Sequence, residues 1–353
     1  MPMNTGPRGP YTTKSGDCTM TDPAHTTPLD VAIIGAGPAG LAAAYCIRDA
    51  GLNVALFDKG RGAGGRLSTR RGSDDVRLDH GCQFIDIDAA EDRSIMQPLL
   101  DDGSLVRWTP DGHELETSLP CGTPSWLIGT PTMNAVIKRL AEPFSISFDT
   151  RICELQRVDE HWMLIDAEQA HVATASIVLT AIPAPQAIDL LSPHNFAGLD
   201  QMRSANYTPL WSILCDAPEG VLDDFEYLVP NQGPLGWIAN QAAKPGRSEA
   251  SALVGLATRE WSAQHVDAEH DWVRHQLGDA LTTSVKPTSI GTIDVHRWRY
   301  ALVDTPAGTP AITDERQGLI ACGDWCLGST VGHALDSGRA AGAAAAAQIT
   351  RST

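Results

Sequence analysis

The chain is short of cations. Its 353 residues hold 26 lysines and arginines against 43 aspartates and glutamates, a formal net charge of −17. A negative field repels polyanions, so neither nucleic acid nor an anionic membrane is an expected partner. It also lacks any C-x-x-C. Its cysteines (Cys18, Cys46, Cys82, Cys121, Cys153, Cys215, Cys322 and Cys326) are scattered along the chain, which argues against a disulfide framework. Cys322 and Cys326 bracket GDW, no standard zinc or redox spacing, and no metal is expected. H-E-x-x-H, G-x-S-x-G and Walker A motifs are missing too, so no motif for zinc, serine-hydrolase or P-loop chemistry is present. The most apolar stretch, VAIIGAGPAGLAAAY, is broken by three glycines and a proline and makes a poor membrane span. Residues 1–28 are rich in Thr, Pro and Gly and lack the apolar core of a secretion signal. They read as a disordered tail, and the chain as cytoplasmic.

What is present begins at Asp30. Val31–Ile34 is a short apolar run, suited to a strand buried on both faces. Leu41–Asp49 is alanine-rich and helix-prone. VALFD follows as a second strand. This β-α-β unit carries Gly35-Ala36-Gly37-Pro38-Ala39-Gly40, a G-x-G-x-x-G between strand and helix, with Asp58 at the end of the next strand. In that setting Gly35 permits a tight turn, Gly37 lets backbone approach a pyrophosphate, and Gly40 allows close packing. The helix N-terminus favours the phosphate charge, and Asp58 suits a ribose hydroxyl.

A second glycine cluster follows at once in FDKGRGAGGRLSTRR. A simple NAD fingerprint needs no such cluster. Gly65 and its neighbours free backbone N–H groups for phosphate oxygens, and Lys59 and Arg66 add positive charge. That suits an extended dinucleotide such as FAD. A polybasic surface patch is the competing reading, and Arg70 and Arg71 are assigned to solvent or to a charged substrate. Near the C-terminus Gly323-Asp324 follows an apolar strand and precedes a small-residue helix beginning near Val331. Asp324 suits cofactor hydroxyls, and the helix dipole would favour an anionic reduced flavin. A simple Asp turn is the alternative there.

The run GAGPAGLAAAYCIRDAGLNVALFDKGRGAGGRLSTRR resembles the flavin amine-oxidase superfamily and, within it, the renalases. The resemblance continues through LDHGCQF, GTPTMNAVIKRLA, AIPAPQA, KPGR, ATREWS, HRWRYAL and GLIACGDWCLG, in order, over nearly everything from residue 30 onward. It implies an α/β fold of the p-hydroxybenzoate-hydroxylase type: a Rossmann-type FAD-binding domain with an interleaved α+β substrate domain. Residues 29–90, 124–187 and 313–350 are expected in the first, and 91–123 and 188–312 in the second. It implies noncovalent FAD, and oxidation of the 2- and 6-dihydro isomers of NAD(P)H by hydride transfer to flavin N5, with O2 reduced to hydrogen peroxide. Such chemistry needs no protein nucleophile. Trp298 and Tyr300 are the first candidates for the substrate pocket, then Trp237 and Gln83, with Arg299 for a substrate phosphate. His80 and His296 are possible pocket polars. Two departures stand out: Leu256, where His is common in the resembled family, and Cys82, where a small residue is usual. The alternatives are an amine oxidase or desaturase of the same fold, and a flavin-bound sensor without turnover.

Overall fold

The computed structural model describes residues 27–72, 76–86, 94–110, 112–114, 126–216, 225–248, 252–285 and 291–352. Most of the expected tail lies outside them, as do Cys18 and Cys121.

An eight-stranded sheet forms the first half. Leu29–Ile34 lies at its centre, parallel to Val54–Phe57 on one side and to His171–Thr180 on the other. Leu319–Ala321 and Ile146–Ser147 extend the parallel part. Val31, Ala32 and Ile33 are wholly buried, because helices cover both faces. Full burial of one such Ile contributes about 2 kcal/mol. On one face lie Pro38–Asp49, Met133–Ala141 and Val331–Ser352. Met133, Val136, Ile137 and Leu140 recur at helical spacing and are the buried residues of their helix. On the other face lies Ala184–Leu191. Pro183 and Pro185 end the preceding strand and also start this helix: Pro183 is its N-cap and Pro185 stands in its first turn, where a missing N–H costs nothing. The division expected at 187/188 falls inside this helix. The apolar packing continues through Phe196, Met202 and Ala205.

The second sheet has six strands in the order Ile293–Thr305, Asn206–Asp216, Ala252–Ala257, Leu235–Asn240, Tyr227–Val229 and Gly112–Glu114. Its outer face buries Trp211, Ile213, Leu253 and Val295 against Val273, Leu277 and Leu281 of helix His270–Val285. Strand alternation turns the intervening residues toward the first half. A bulge near Arg299–Ala301, where Thr208 pairs with Leu302 and Leu210 with Trp298, interrupts that alternation.

Candidate functional site: a dinucleotide cradle facing an aromatic wall

Parallel strands end at a common edge, so their C-terminal loops gather there. Gly35 (φ 109°) follows the first strand, and a Cβ on it would lie 2.6 Å from Ala181 O of the neighbouring strand end. A Cβ on Gly40 would meet Gly35 O at 1.9 Å. Both glycines are therefore required by close packing. Gly37 differs. A Cβ there meets nothing within 4 Å, and no side chain caps the helix that starts at Pro38 and Ala39. An uncapped N-terminus beside open space is what a phosphate would occupy.

Asp58 accepts from Ala36 N at 2.7 Å and from Gly60 N at 2.7 Å. It thus ties both glycine loops together, which sequence alone did not suggest; each oxygen retains a second acceptor position for a ribose. Gly65 takes a left-handed φ of 54° with open space around it. Lys59 donates to Gln186 Oε1 at 2.9 Å. Arg66 donates to Asp324 Oδ1 at 2.6 Å and to Ala301 O at 3.0 Å. Its fork is held by protein acceptors, joining the strand edge to the second sheet. Asp324 is buried. Gly323 (φ 154°) donates its N–H to Ser337 Oγ at 2.9 Å. Val331 opens the C-terminal helix. That helix runs parallel to Pro38–Asp49, since Gly338 packs on Ala39 and Gly342 on Ala43. Both N-termini therefore point to the same edge.

The inner face of the second sheet supplies the opposite wall. Register pairs Trp237 with Leu256, Leu256 with Ser212, and Ser212 with His296, one row across four strands. Trp298 stands one step along the outer strand, opposite Leu210. Its Nε1 donates to His80 O at 2.9 Å, and its ring stacks on His80 at 5.2 Å and meets His296 at 4.3 Å. Burial pulls both histidines down to about 4, with His296 and Arg70 adding to the effect on His80 and Arg70 to that on His296. Both are neutral at pH 7. Arg70 pairs with Asp294 and approaches His296 Nδ1 at 3.3 Å.

The other sequence candidates scatter. Tyr300, beyond the bulge, packs edge-on to Tyr207 at 5.4 Å. Arg299 is exposed and bonds Asp267 at 2.7 Å. Gln83 is buried and spends its carboxamide on the loop: Nε2 donates to Asp79 O and Gly81 O, and Oε1 accepts from Lys244. Trp237 stacks on Tyr227 at 4.6 Å and meets Trp126 and Phe84, and its Nε1 is buried without a partner. Sequence reasoning missed this aromatic cluster because its members come from four separated segments. KPGR, and Asp79 of LDHGCQF, carried no expected role, although Lys244 and Arg247 meet Asp79. Among the described residues no cluster of three metal-ligating side chains lies together, and no helix is long and apolar enough to cross a membrane.

Fold and cradle define a Rossmann-type dinucleotide-binding protein with a second sheet set over its strand ends. Residues 33–99 match the family of NAD(P)-binding Rossmann-like domains. Over 92–93% of its length the chain resembles solved structures of oxidases. Cyclohexylamine oxidase from Brevibacterium oxydans IH-35A is similar with a TM-score of 0.72 at 13% identity, covering 92% of this chain and 100% of that one. A protein described as a protoporphyrinogen oxidase from Exiguobacterium sp. 255-15 gives 0.70 at 14%, covering 93% and 100%. A triple mutant of putrescine oxidase gives 0.63 at 14%, covering 92% and 99%. At such identities the likeness is one of fold.

Proposed function

We propose that the chain is an FAD-dependent oxidoreductase of the renalase kind, oxidising 2- and 6-dihydro isomers of NAD(P)H to NAD(P)+. The open, uncapped helix end at Gly37 and Pro38 is the seat for the pyrophosphate. Asp58 takes a ribose. Gly65, Lys59 and Arg66 border the phosphates, and Asp324 with the helix end at Val331 completes the cradle. When bound, FAD supplies a hydride acceptor at N5 and passes the electrons to O2 as hydrogen peroxide.

The observation that carries the substrate reading is the row Trp237–Leu256–Ser212–His296 with Trp298 beside it. It is a wall of aromatic, aliphatic and uncharged polar groups, suited to a flat neutral ring. Both imidazoles are neutral there, so they orient by hydrogen bonding and bring no charge. Trp298 is held rigid by His80 O and offers a face for stacking. Arg70, half-exposed at the edge of this wall, is the cation placed to meet a substrate phosphate, in preference to Arg299. The amine-oxidase alternative wants an open aromatic cage. Here Phe84 and Trp126 stack on each other at 4.0 Å, so these two rings close on one another. We place the protein in the cytoplasm and assign 29–90, 124–187 and 313–350 to the cofactor half, with 188–205 packing on it.

The test is anaerobic mixing of the yellow holoprotein with single dinucleotide isomers. Rapid bleaching by 6- or 2-dihydro-NAD(P), and none by ordinary NADH, is expected. Bleaching by an amine and by no dinucleotide overturns the substrate assignment.

A further inference from the structure

Three charges are buried behind the loop 79–83 and have no part in the reading above. The side chains of Lys244 and Asp79 are 0% exposed and that of Arg247 is 2%. Arg247 donates to Asp79 Oδ2 at 2.6 Å and to Gly129 O at 2.8 Å, and its Nε is buried without a partner. Lys244 Nζ lies 3.4 Å from Asp79 Oδ2, 3.2 Å from Gln83 O and 3.3 Å from Gln83 Oε1. All three partners are acceptors. The Gln83 assignment is fixed by its Nε2, which donates to Asp79 O and Gly81 O. Burial, and the Arg247 charge with it, pulls the Lys244 ammonium down while the Asp79 carboxylate opposes that pull; three acceptors call for three N–H donors, and the geometry is that of an ammonium.

Asp79 is a carboxylate. Burial alone would push it up, but Lys244 and Arg247 hold it below the usual range. It also accepts from Thr69 Oγ1 at 2.6 Å and from Met133 N at 3.1 Å. Cys82 beside it is a neutral thiol, pushed up to about 11 by burial. Two cations and one carboxylate leave an excess of one positive charge. Burying an unbalanced ion is costly. Inside a protein such a charge also acts at a distance, changing an equilibrium about tenfold at roughly 10 Å.

The loop between this cluster and the cradle is thin. Cys82 N donates to Arg66 O at 2.9 Å, and a Cβ on Gly81 would touch Arg66 O at 2.0 Å and Trp298 at 3.3 Å. The cluster thus lies one backbone layer behind both Arg66 and Trp298, while Arg66 has its own counter-charge in Asp324. We propose that the Asp79–Lys244–Arg247 cluster is an electrostatic support for the cofactor, the one positive charge left over among its described residues raising the electron affinity of the bound flavin. The inference rests on the reading that the cradle holds FAD. Lys244 acts through its charge and does not touch substrate.

The experiment measures the two-electron midpoint potential of purified flavin-loaded protein against a reference dye. Lys244→Met keeps the side-chain length and removes the charge. It should lower the equilibrium constant for flavin reduction about tenfold, a shift of about 30 mV to more negative potential. Lys244→Arg should restore the wild-type value. Asp79→Asn raises the excess charge and should shift the potential the opposite way. Opposite signs from two cluster variants are not what general loosening of the fold would produce. If K244M does not retain flavin, R247M removes the same unit of charge and is read in its place. Unchanged potentials in flavin-loaded variants, or shifts of the same sign from K244M and D79N, overturn the inference while leaving the FAD reading intact. A colourless wild-type protein overturns the FAD reading and the inference with it.

Discussion

His80 and His296 meet edge to face with ring centroids 4.9 Å apart, and their neutrality has a consequence for stability. In the unfolded chain a histidine titrates near 6.5; in the fold burial, with the Arg70 charge nearby, pulls both to about 4. Between those values the unfolded chain binds protons that the folded one refuses. The stability held by keeping them neutral is therefore complete above pH 6.5 and falls as pH drops toward 4, by up to about 1.4 kcal/mol per pH unit for His80 and by less for the more exposed His296, where solvent screens the effect. Denaturant midpoints measured from pH 7.5 to 5 should be flat above 6.5 and decline below it. A His80→Gln, His296→Gln double variant should show a shallower decline. An equally steep one would mean that carboxylates alone set the acid limb. The same residues show why side-chain roles were hard to read in advance. Trp298 lies in a recognisable motif, and its indole N–H bonds the carbonyl of His80. Arg299 is one position away yet exposed, because neighbouring strand residues face opposite ways. Gln83, expected in the substrate pocket, bonds Asp79 O, Gly81 O and Lys244, and Lys244 comes from a distant segment that no local pattern links to it.

Two glycines in the paired helices separate folding from cofactor binding. Gly37 begins one helix with an ordinary φ of −87° and open space where a Cβ would go. Gly338 lies inside the C-terminal helix, and a Cβ on it would stand 2.0 Å from Ala39 O. Gly338→Ala should therefore force the helices apart and cost about 2 kcal/mol, as overpacking does. Gly37→Ala should leave the melting temperature of the flavin-free protein unchanged and weaken flavin binding at least tenfold, since the added methyl occupies the phosphate seat. Melting curves and flavin titrations of the two variants check this. A Gly37→Ala protein that binds flavin normally would remove the phosphate from that helix end. At this scale the chain is readable. The Rossmann unit, helix Met133–Ala141 and the long terminal helix announce themselves through local patterns, and they form at those places. What no periodicity announces is register. The row Trp237–Leu256–Ser212–His296 exists because four strands align in one of several possible ways, and the departure at Leu256 gains meaning only once it is seen at the centre of that row. The bulge near Arg299–Ala301, which separates Tyr300 from Trp298, is likewise a product of pairing with Asn206–Asp216.

At the scale of the molecule, the two sheets are joined at the site itself. Arg66 spans from Asp324 to Ala301 O, Trp298 hangs from His80 O, and Lys244 and Arg247 converge on Asp79. Arg66, Lys244 and Arg247 spend their charge inward, while Lys59, Arg61 and Arg71 are exposed on the outer surface of the chain. Its remaining arginines form exposed pairs, such as Arg139 with Asp102, Arg203 with Asp200, and Arg351 with Glu315. Such exposed pairs contribute little, because water and salt screen them. Salt weakens those pairs, but it also screens the mutual repulsion of a chain with net charge −17. Repulsion is the larger effect, because the acids outnumber the cations by 43 to 26. Moving from about 0.01 M to 0.15 M salt shortens the screening length from about 30 to 8 Å, below the spacing of most surface charges. The melting temperature should therefore rise by about 1–2 °C, corresponding to roughly 1 kcal/mol for a chain of 353 residues. A fall over that range would mean that the exposed pairs outweigh the repulsion, and that the acidic surface is a network of attractions in place of a self-repelling coat.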